Sequence, residues 1–331
     1  MKQLDSWLTS LRGLRVLVLG DVMIDRYVRG HVQRISPEAP VPVVELRSSA
    51  TRLGGAANVA LNVKELGADP VLVAVVGQDQ EAAELERLVD EAGLSDHSFL
   101  IREPGRKTTI KTRIIAGNQH LLRVDSEDTH PVSAESVASL MVRLEEEIRQ
   151  TPVDVIILQD YDKGVLSPAM IQSVIGLAGR YQIPVTVDPK FRHFLQYAGC
   201  TLFKPNLKEL SEGLARVIHP VEEELQQAVR ELHSLMAHQY TLVTLSEKGI
   251  YWYDHGCGQG GIIPPEARDI IDVCGAGDTV IAVASMTLAG GMALRDLAAV
   301  ANLAGGLVCE RVGVVPIDAA ALFHEVERLG I

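Results

Sequence analysis

The chain has 331 residues, 47% of them hydrophobic and 22% charged, a balance that suits a folded globular protein and excludes a disordered one. Its 31 basic residues stand against 43 acidic ones, a formal net charge of −12; this argues against a nucleic-acid partner but admits an anionic small molecule held by a few local cations. The longest uncharged stretch, 279–294, falls short of the roughly 20 apolar residues a membrane span needs, and the N-terminus (MKQLDSWLTSLRGLRVLVLG) reads as carrying no leader peptide, so a cytoplasmic protein without a membrane partner is expected.

In chain order, Val16–Leu19 reads as a first buried strand. Tyr27–Leu46 (YVRGHVQRISPEAPVPVVEL) follows as proline-punctuated extended chain. A helix is predicted over Ala56–Leu66, a strand over Val71–Val76 and a helix over Glu81–Ala92. Lys107–Val124 alternates polar and apolar residues around Gly117-Asn118, the pattern of a β-hairpin. Helices are then predicted over Ser133–Arg149, Pro168–Tyr181 and Val221–Ala237, with strands over Val153–Leu158, Val185–Val187 and Thr241–Leu245. Two helices, Gly277–Ala289 and Leu294–Val308, close the pattern. Near-continuous apolar runs between helices suit parallel strands buried on both faces. The fold class is therefore α/β, a doubly wound, mostly parallel sheet flanked by helices, with ligands at the carboxyl ends of the strands. The two strand-rich excursions suggest a small second sheet, a lid over about 26–47 and 106–125, within a single domain spanning 1–331.

The four cysteines, Cys200, Cys257, Cys274 and Cys309, lie far apart and form no disulfide framework or zinc pattern. The 10 histidines show no H-x-x-x-H or H-E-x-x-H pair, so no transition metal held by the protein is expected.

Chemistry concentrates in a few motifs. Asp272–Thr279, DVCGAGDT, opens an apolar helical segment. Gly275, Ala276 and Gly277 can turn backbone N–H groups toward one spot at a helix N-terminus, where the dipole favours negative charge. Asp278 beside that nest could accept a hydroxyl proton during phosphoryl transfer, with the N–H groups as anion hole; it would serve equally as a helix cap. Leu53–Ala60, LGGAANVA, offers Gly54 and Gly55 for close backbone approach and Asn58 for hydrogen bonds to hydroxyls, although tight helix–strand packing also explains a Gly-Gly pair. Gly20–Asp25, GDVMID, places Asp21 and Asp25 where a strand ends, suited to sugar hydroxyls. Neither the dinucleotide fingerprint nor a Walker loop is present, which removes the main support for a dehydrogenase.

Taken in this order, G-D-x-x-x-D, GGAANVA and D-x-x-G-A-G-D closely resemble the ribokinase-like (PfkB) carbohydrate kinases over essentially the whole chain. The resemblance implies ATP as phosphoryl donor, Mg2+ as its counter-ion, and Asp278 as the base with Gly275, Ala276 and Gly277 around the transferred group. It places Asp21, Asp25, Gly54, Gly55 and Asn58 at the sugar. It also carries the N-x-x-E motif onto FKPNLKE, so that Asn206, Leu207, Lys208 and Glu209 sit by the nucleotide, with Glu209 reaching the metal through water and no direct protein ligand. Ser246 and Gly249 of TLSEKG, and Asn302, complete that side. Within the family, GDVMIDRYVRGHVQRISPEAPVPVVE, RLGGAANVALNVKELGA, QDYDKGVL and VDPK resemble kinases of D-glycero-β-D-manno-heptose 7-phosphate. These give the 1,7-bisphosphate toward ADP-heptose and the lipopolysaccharide inner core. An adenylyltransferase motif H-x-G-H is absent from the sequence, which implies the stand-alone kinase and a separate adenylyltransferase in the same pathway. Extended lid segments would present unpaired edges, so a homodimer formed through the lid is expected, as the resemblance also implies. A kinase for another sugar, or a non-catalytic sugar- or nucleotide-binding regulator, are the alternatives; an intact GAGD speaks against the second. A sugar phosphate needs cations of its own. Lys190, Lys111 and Arg106 are the residues chosen for it, with Lys107, Arg113, Arg34, Arg52 and Lys163 as further candidates.

Overall fold

Every residue of Arg15–Gly20 is buried, and this strand, β1, lies inside a large sheet, third from one edge. The computed structural model describes residues 11–117 and 119–330; the first ten residues, where the leader reading begins, and Asn118 of the expected turn lie outside the described residues. From β1 the chain runs out through β2 (Val22–Ile35), back through β3 (Pro42–Gly55), and into helix α1 (Ala56–Glu65). Then come β4 (Asp69–Gly77), α2 (Gln80–Glu91), β5 (Ser98–Glu103), β6 (Ile110–Ala116), β7 (Gln119–Ser126) and α3 (Ala134–Gln150). The second half alternates β8 (Val155–Gln159), α4 (Pro168–Tyr181), β9 (Val185–Asp188), β10 (Leu202–Phe203), α5 (Leu207–Gly213), α6 (Glu222–Leu235) and β11 (Tyr240–Thr244). It ends with a hairpin, β12 (Ile250–Asp254) and β13 (Gln259–Ile263), and helices α7 (Ala276–Ala289), α8 (Leu294–Cys309) and α9 (Ala319–Leu329).

The strands assemble into a nine-stranded sheet in the order β13-β12-β11-β10-β9-β8-β1-β4-β5, parallel from β11 through β5 and antiparallel at the β12–β13 edge. Alternate residues of one strand feed two separate cores, as a pleat of period two requires. Val16 and Val18 join one core with α1, α2, α7, α8 and α9, whereas Leu17 and Leu19 join the other with α3, α4 and α6. The doubly wound expectation therefore holds, and each predicted strand and helix finds its counterpart within a few residues.

The two excursions pair with one another in a separate four-stranded sheet, β3-β2-β6-β7. Its inner ends are buried (Ile24, Tyr27, Leu53, Ile110), and its outer reaches carry exposed Ile35, Val41, Leu46 and Leu122. The hairpin predicted around Gly117 forms between β6 and β7. The strands reach further inward than the predicted limits, because β2 starts directly after the first sheet strand and β3 runs into α1. No helix among the described residues is long and apolar enough to cross a membrane.

Sequence spacing concealed one grouping. His233, His238 and His255 come together near the start of β11, at the far end from the cleft described below. His238 Nδ1 lies 2.7 Å from the Met236 carbonyl, and His238 Nε2 and His255 Nε2 meet the Thr241 hydroxyl at 2.6 and 2.9 Å. The His233 and His255 rings stack at 4.1 Å with 12° between planes, so their in-plane nitrogens do not converge on one point. Burial pushes the His238 imidazole down to about 4 and the half-buried His255 to about 3. An unfolded chain takes these protons near pH 6.5, while the folded chain resists them down to those values; stability is thus full above pH 6.5 and is lost as the pH falls toward 4. His238 alone contributes about 3 kcal/mol to that loss, at about 1.4 kcal/mol per pH unit. Urea unfolding at pH 7 and pH 5 should show the midpoint falling for the wild type and about half as far for His238→Gln, because His255 still resists protonation. An equal slope in both would contradict it.

Candidate active site

The carboxyl ends of β8, β9, β10 and β11 open on a cleft of about 1450 Å3, bounded on the other side by the start of α7 and by α8. Asp278 sits in the first turn of α7 and is buried. Gly275, the residue before that helix, adopts φ 81°, a left-handed conformation that an L side chain enters only with strain. The Ala276 N–H turns back to the Val273 carbonyl at 3.3 Å, while those of Gly275, Gly277 and Asp278 meet no backbone acceptor among the described residues. Of the N–H groups expected around an anion, that of Ala276 is therefore already engaged. A β-carbon at Gly277 would point toward Asp188 Oδ2 and Lys204 Nζ, at 3.7 and 3.8 Å. The start of α7 therefore lies beside a buried ion pair, Lys204 Nζ to Asp188 Oδ1 at 3.1 Å.

Three side chains donate to the Asp278 carboxylate: Asn58 Nδ2 to Oδ2 at 2.8 Å, Tyr161 O–H to Oδ1 at 2.7 Å and Gln159 Nε2 to Oδ1 at 3.1 Å. Burial raises the Asp278 carboxyl to about 7, the Asn58 and Tyr161 hydrogen bonds oppose this, and the Asp188 and Asp25 charges add to it. A carboxylate with its titration near neutrality is what general-base chemistry asks for. The contact from Asn58 requires α1 to pack on α7, and Asn62 fastens the pair: its Oδ1 accepts from the Thr279 hydroxyl at 3.0 Å and from the Ile317 N–H at 2.9 Å.

The Gly54-Gly55 pair has a local cause. A β-carbon at Gly54 would come within 2.3 Å of Asp25 Oδ2, and one at Gly55 within 2.3 Å of the Asp21 carbonyl oxygen. Both glycines let the end of β3 press against the start of β2 and the Asp21 before it, and Gly55 at φ 60° turns the chain into α1. Asp25 is buried and ion-paired to Arg113 of β6. Asp21 has a task beyond the one its position suggested. Its buried carboxylate accepts the backbone N–H groups of Tyr161, Lys163 and Val165 at 2.8, 3.0 and 3.2 Å, so it shapes the loop after β8 and keeps one lone pair of Oδ1 for a further donor.

Lys190, Asn206, Leu207, Lys208, Glu209, Ser246, Gly249 and Asn302 all line the cleft, as do Ala276 and Gly277. Asn206 caps α5 in a reciprocal box: its Oδ1 accepts from Glu209 N at 2.8 Å, and Glu209 Oε2 accepts from Asn206 N at 2.8 Å. Glu209 also pairs with Lys190, whose ammonium is held protonated, against desolvation, by Asp188, Glu209 and Asp278. Asn302 donates to the Pro264 carbonyl at 3.0 Å, tying α8 to the chain after β13.

The phosphate-binding cations sort less simply. Lys111 of β6 and Lys190 both lie over the Tyr161 ring, at 5.6 and 5.2 Å. Burial, and then the neighbouring Lys163 charge, lower the Lys111 ammonium's pKa. Arg106 falls outside this group: its buried guanidinium donates to Glu103 at 3.2 Å and to the Lys163 and His130 carbonyls at 3.1 and 2.6 Å. Arg52 is likewise spent on the Val312 and Val314 carbonyls at 3.0 and 2.7 Å, and Lys163 on Glu127 at 2.8 Å. Sequence reasoning passed over Tyr161, Gln159, Asp188 and Lys204 as site residues. All four lie within the QDYDKGVL, VDPK and FKPNLKE segments, and only the strand register shows that they converge on Asp278 and Gly277.

A buried carboxylate with three hydrogen-bond donors, a helix N-terminus beside it and a cleft at the strand ends together suit phosphoryl transfer. The family model described as "pfkB family carbohydrate kinase" matches residues 14–319, and the chain belongs to that family. Among curated relatives, the bifunctional protein HldE of Rhodospirillum rubrum is 40% identical over 321 residues, 96% of this chain and 63% of that protein. HldE of Methylobacillus flagellatus is 42% identical over 313 residues, 94% of this chain and 63% of its own length. The chain thus spans less than two-thirds of these relatives. Phosphofructokinase-2 from Escherichia coli in complex with potassium superposes with TM-score 0.76 at 16% identity, covering 96% of this chain and all of that one. Arabidopsis thaliana ribokinase complexed with ribose and ATP gives 0.72 at 17% identity, covering 94% and 99%.

Proposed function

We propose that this sugar kinase transfers the γ-phosphoryl group of ATP to the anomeric hydroxyl of D-glycero-β-D-manno-heptose 7-phosphate, yielding the 1,7-bisphosphate and ADP. The observation that carries the catalytic half is Asp278, buried with three hydrogen-bond donors beside N–H groups with no backbone acceptor among the described residues. Asp278 takes the hydroxyl proton as the new phosphorus–oxygen bond forms and the bond to ADP breaks. Meanwhile the N–H groups of Gly277 and Asp278, together with Lys204, hold the transferring group's charge. The cleft's size and its lining by Asn206, Ser246, Gly249 and Asn302 suit a nucleotide. Glu209, an oxygen donor with both oxygens already engaged by Asn206 and Lys190, fits Mg2+ held through water better than by direct ligation. When bound, that ion would neutralise nucleotide phosphate charge.

Support for the heptose phosphate comes from the four sequence segments that resemble such kinases, from relatives about 40% identical, and from Lys111 and Lys190 around Tyr161. The product would pass to an adenylyltransferase. The reading places the protein in the cytoplasm, and it assigns the four-stranded sheet as the lid over the sugar. A coupled assay of ADP release over a panel of sugars and sugar phosphates tests it; the heptose 7-phosphate should be the best acceptor, and a different preferred sugar would leave only the family assignment.

The lid's exposed Ile35, Val41, Leu46, Leu122 and Val124 lie on β2, β7, β3 and the turn before it. An apolar surface of this kind favours a partner, and we assign it to a second copy of the chain. Sedimentation at micromolar concentration should give a dimer, and Leu46→Glu with Leu122→Glu should give monomers. A wild-type monomer with full activity would contradict the assignment.

A further inference from the structure

Tyr161 lies on the loop after β8, and this inference rests on Asp278 being the base. Each carboxylate oxygen offers two lone pairs. Tyr161 and Gln159 fill those of Asp278 Oδ1, and Asn58 takes one of Oδ2. The incoming hydroxyl is left with the second lone pair of Oδ2. The phenol is itself fixed from behind, because Asp21 accepts the Tyr161 backbone N–H at 2.8 Å along with those of Lys163 and Val165. The loop carries a further local constraint: Asp160 accepts the Asp162 N–H at 2.8 Å, and Asp162 adopts φ 57°. Lys111 and Lys190 over the ring draw on its electron density and strengthen the O–H as a donor.

We propose that Tyr161 is the positioning residue of the base. Held by Asp21 through the backbone, its phenol turns the Asp278 carboxylate so that Oδ2 meets the sugar, and keeps that carboxylate ionised at working pH. The other charged groups around the carboxylate are Asp25 from β2, Asp188 at the end of β9, Lys190 just after it, and Lys204 beside Gly277. Their carboxylates oppose ionisation of Asp278 and their ammonium groups favour it. A donated hydrogen bond also favours the charged form.

The test is the pH profile of kcat/KM for the sugar phosphate, in wild type, Tyr161→Phe and Asp21→Asn. The wild type should lose activity below about pH 7. Tyr161→Phe should move that limb up by about one to two pH units, since a hydrogen bond to a charged group is lost. The variant would then be at least about tenfold slower than wild type at pH 6 and close to it at pH 9. Asp21→Asn should shift the limb in the same direction and add nothing to Tyr161→Phe in the double variant. A uniform fall at all pH values, with the limb unmoved in Tyr161→Phe, would reduce the phenol to packing and overturn the proposal. A raised sugar KM in Asp21→Asn without a shifted limb would return Asp21 to the sugar and overturn its part. A wild type without an acid limb would instead sink the base assignment, and this proposal with it.

Discussion

Asp278→Asn is expected to lower turnover by about two to four orders of magnitude, the range general-base catalysis supplies. Asparagine keeps the side chain's size and one acceptor oxygen, so the Asn58 or Tyr161 contact can survive while the proton acceptor is lost. The loss belongs to the transition state, and the affinities for ATP and sugar should therefore change little. The start of α7 depends on Gly275 and on the Asn62–Thr279 contact rather than on the Asp278 charge, so the variant should fold. Single-turnover kinetics with binding measured separately will check this. Near-normal turnover would reduce Asp278 to a helix cap.

The second large effect concerns the phosphate that stays on the sugar. Heptose 7-phosphate should be preferred over the unphosphorylated heptose by about a hundredfold to ten-thousandfold, taking two charge-assisted hydrogen bonds at roughly 1.5–3 kcal/mol each. Lys111 is the better-motivated partner. Its ammonium is more than half desolvated, it makes no ion pair among the described residues, and burial and Lys163 both act against its charge. An arriving phosphate would supply the charge partner that offsets this desolvation. Lys190, already paired with Glu209, stands closer to the nucleotide side. Lys111→Met should raise KM for the phosphorylated sugar and leave the free sugar almost untouched, with Lys190→Met affecting kcat as well. Arg106→Gln is expected to act differently, lowering stability by abandoning Glu103 and two carbonyls. Equal kcat/KM for both sugars would overturn the heptose-phosphate reading and leave a sugar kinase of another specificity.

Much of this architecture is legible from local pattern. Buried runs such as VLVL and VLVAVV, and helices with clear caps such as Ser133 and Ser167, announce themselves. What stays hidden is set by register and distance. β10 has two residues, too few for any periodicity, and it positions Lys204. β12 and β13 form an antiparallel edge whose Gly-rich turn and partly exposed outer strand, β13, imitate a loop. Asp21 shows the limit most clearly. Its place after a strand suggests a ligand contact, but the backbone of a loop 140 positions later reaches it first. Arg106 fails for the same reason, its partners coming from positions 24 and 57 residues away. Asn58 and Asp278, 220 positions apart, could be joined only by resemblance to known kinases.

The central claim, an Asp278-dependent transfer to the anomeric oxygen of heptose 7-phosphate, is tested most directly by following the purified protein with ATP, Mg2+ and that sugar by phosphorus NMR. The account predicts a new phosphate resonance coupled to the anomeric proton, growing as ATP is consumed, with the 7-phosphate signal retained and no product from Asp278→Asn on the same timescale. Phosphorylation at another hydroxyl, or ATP loss with no sugar product, would contradict it.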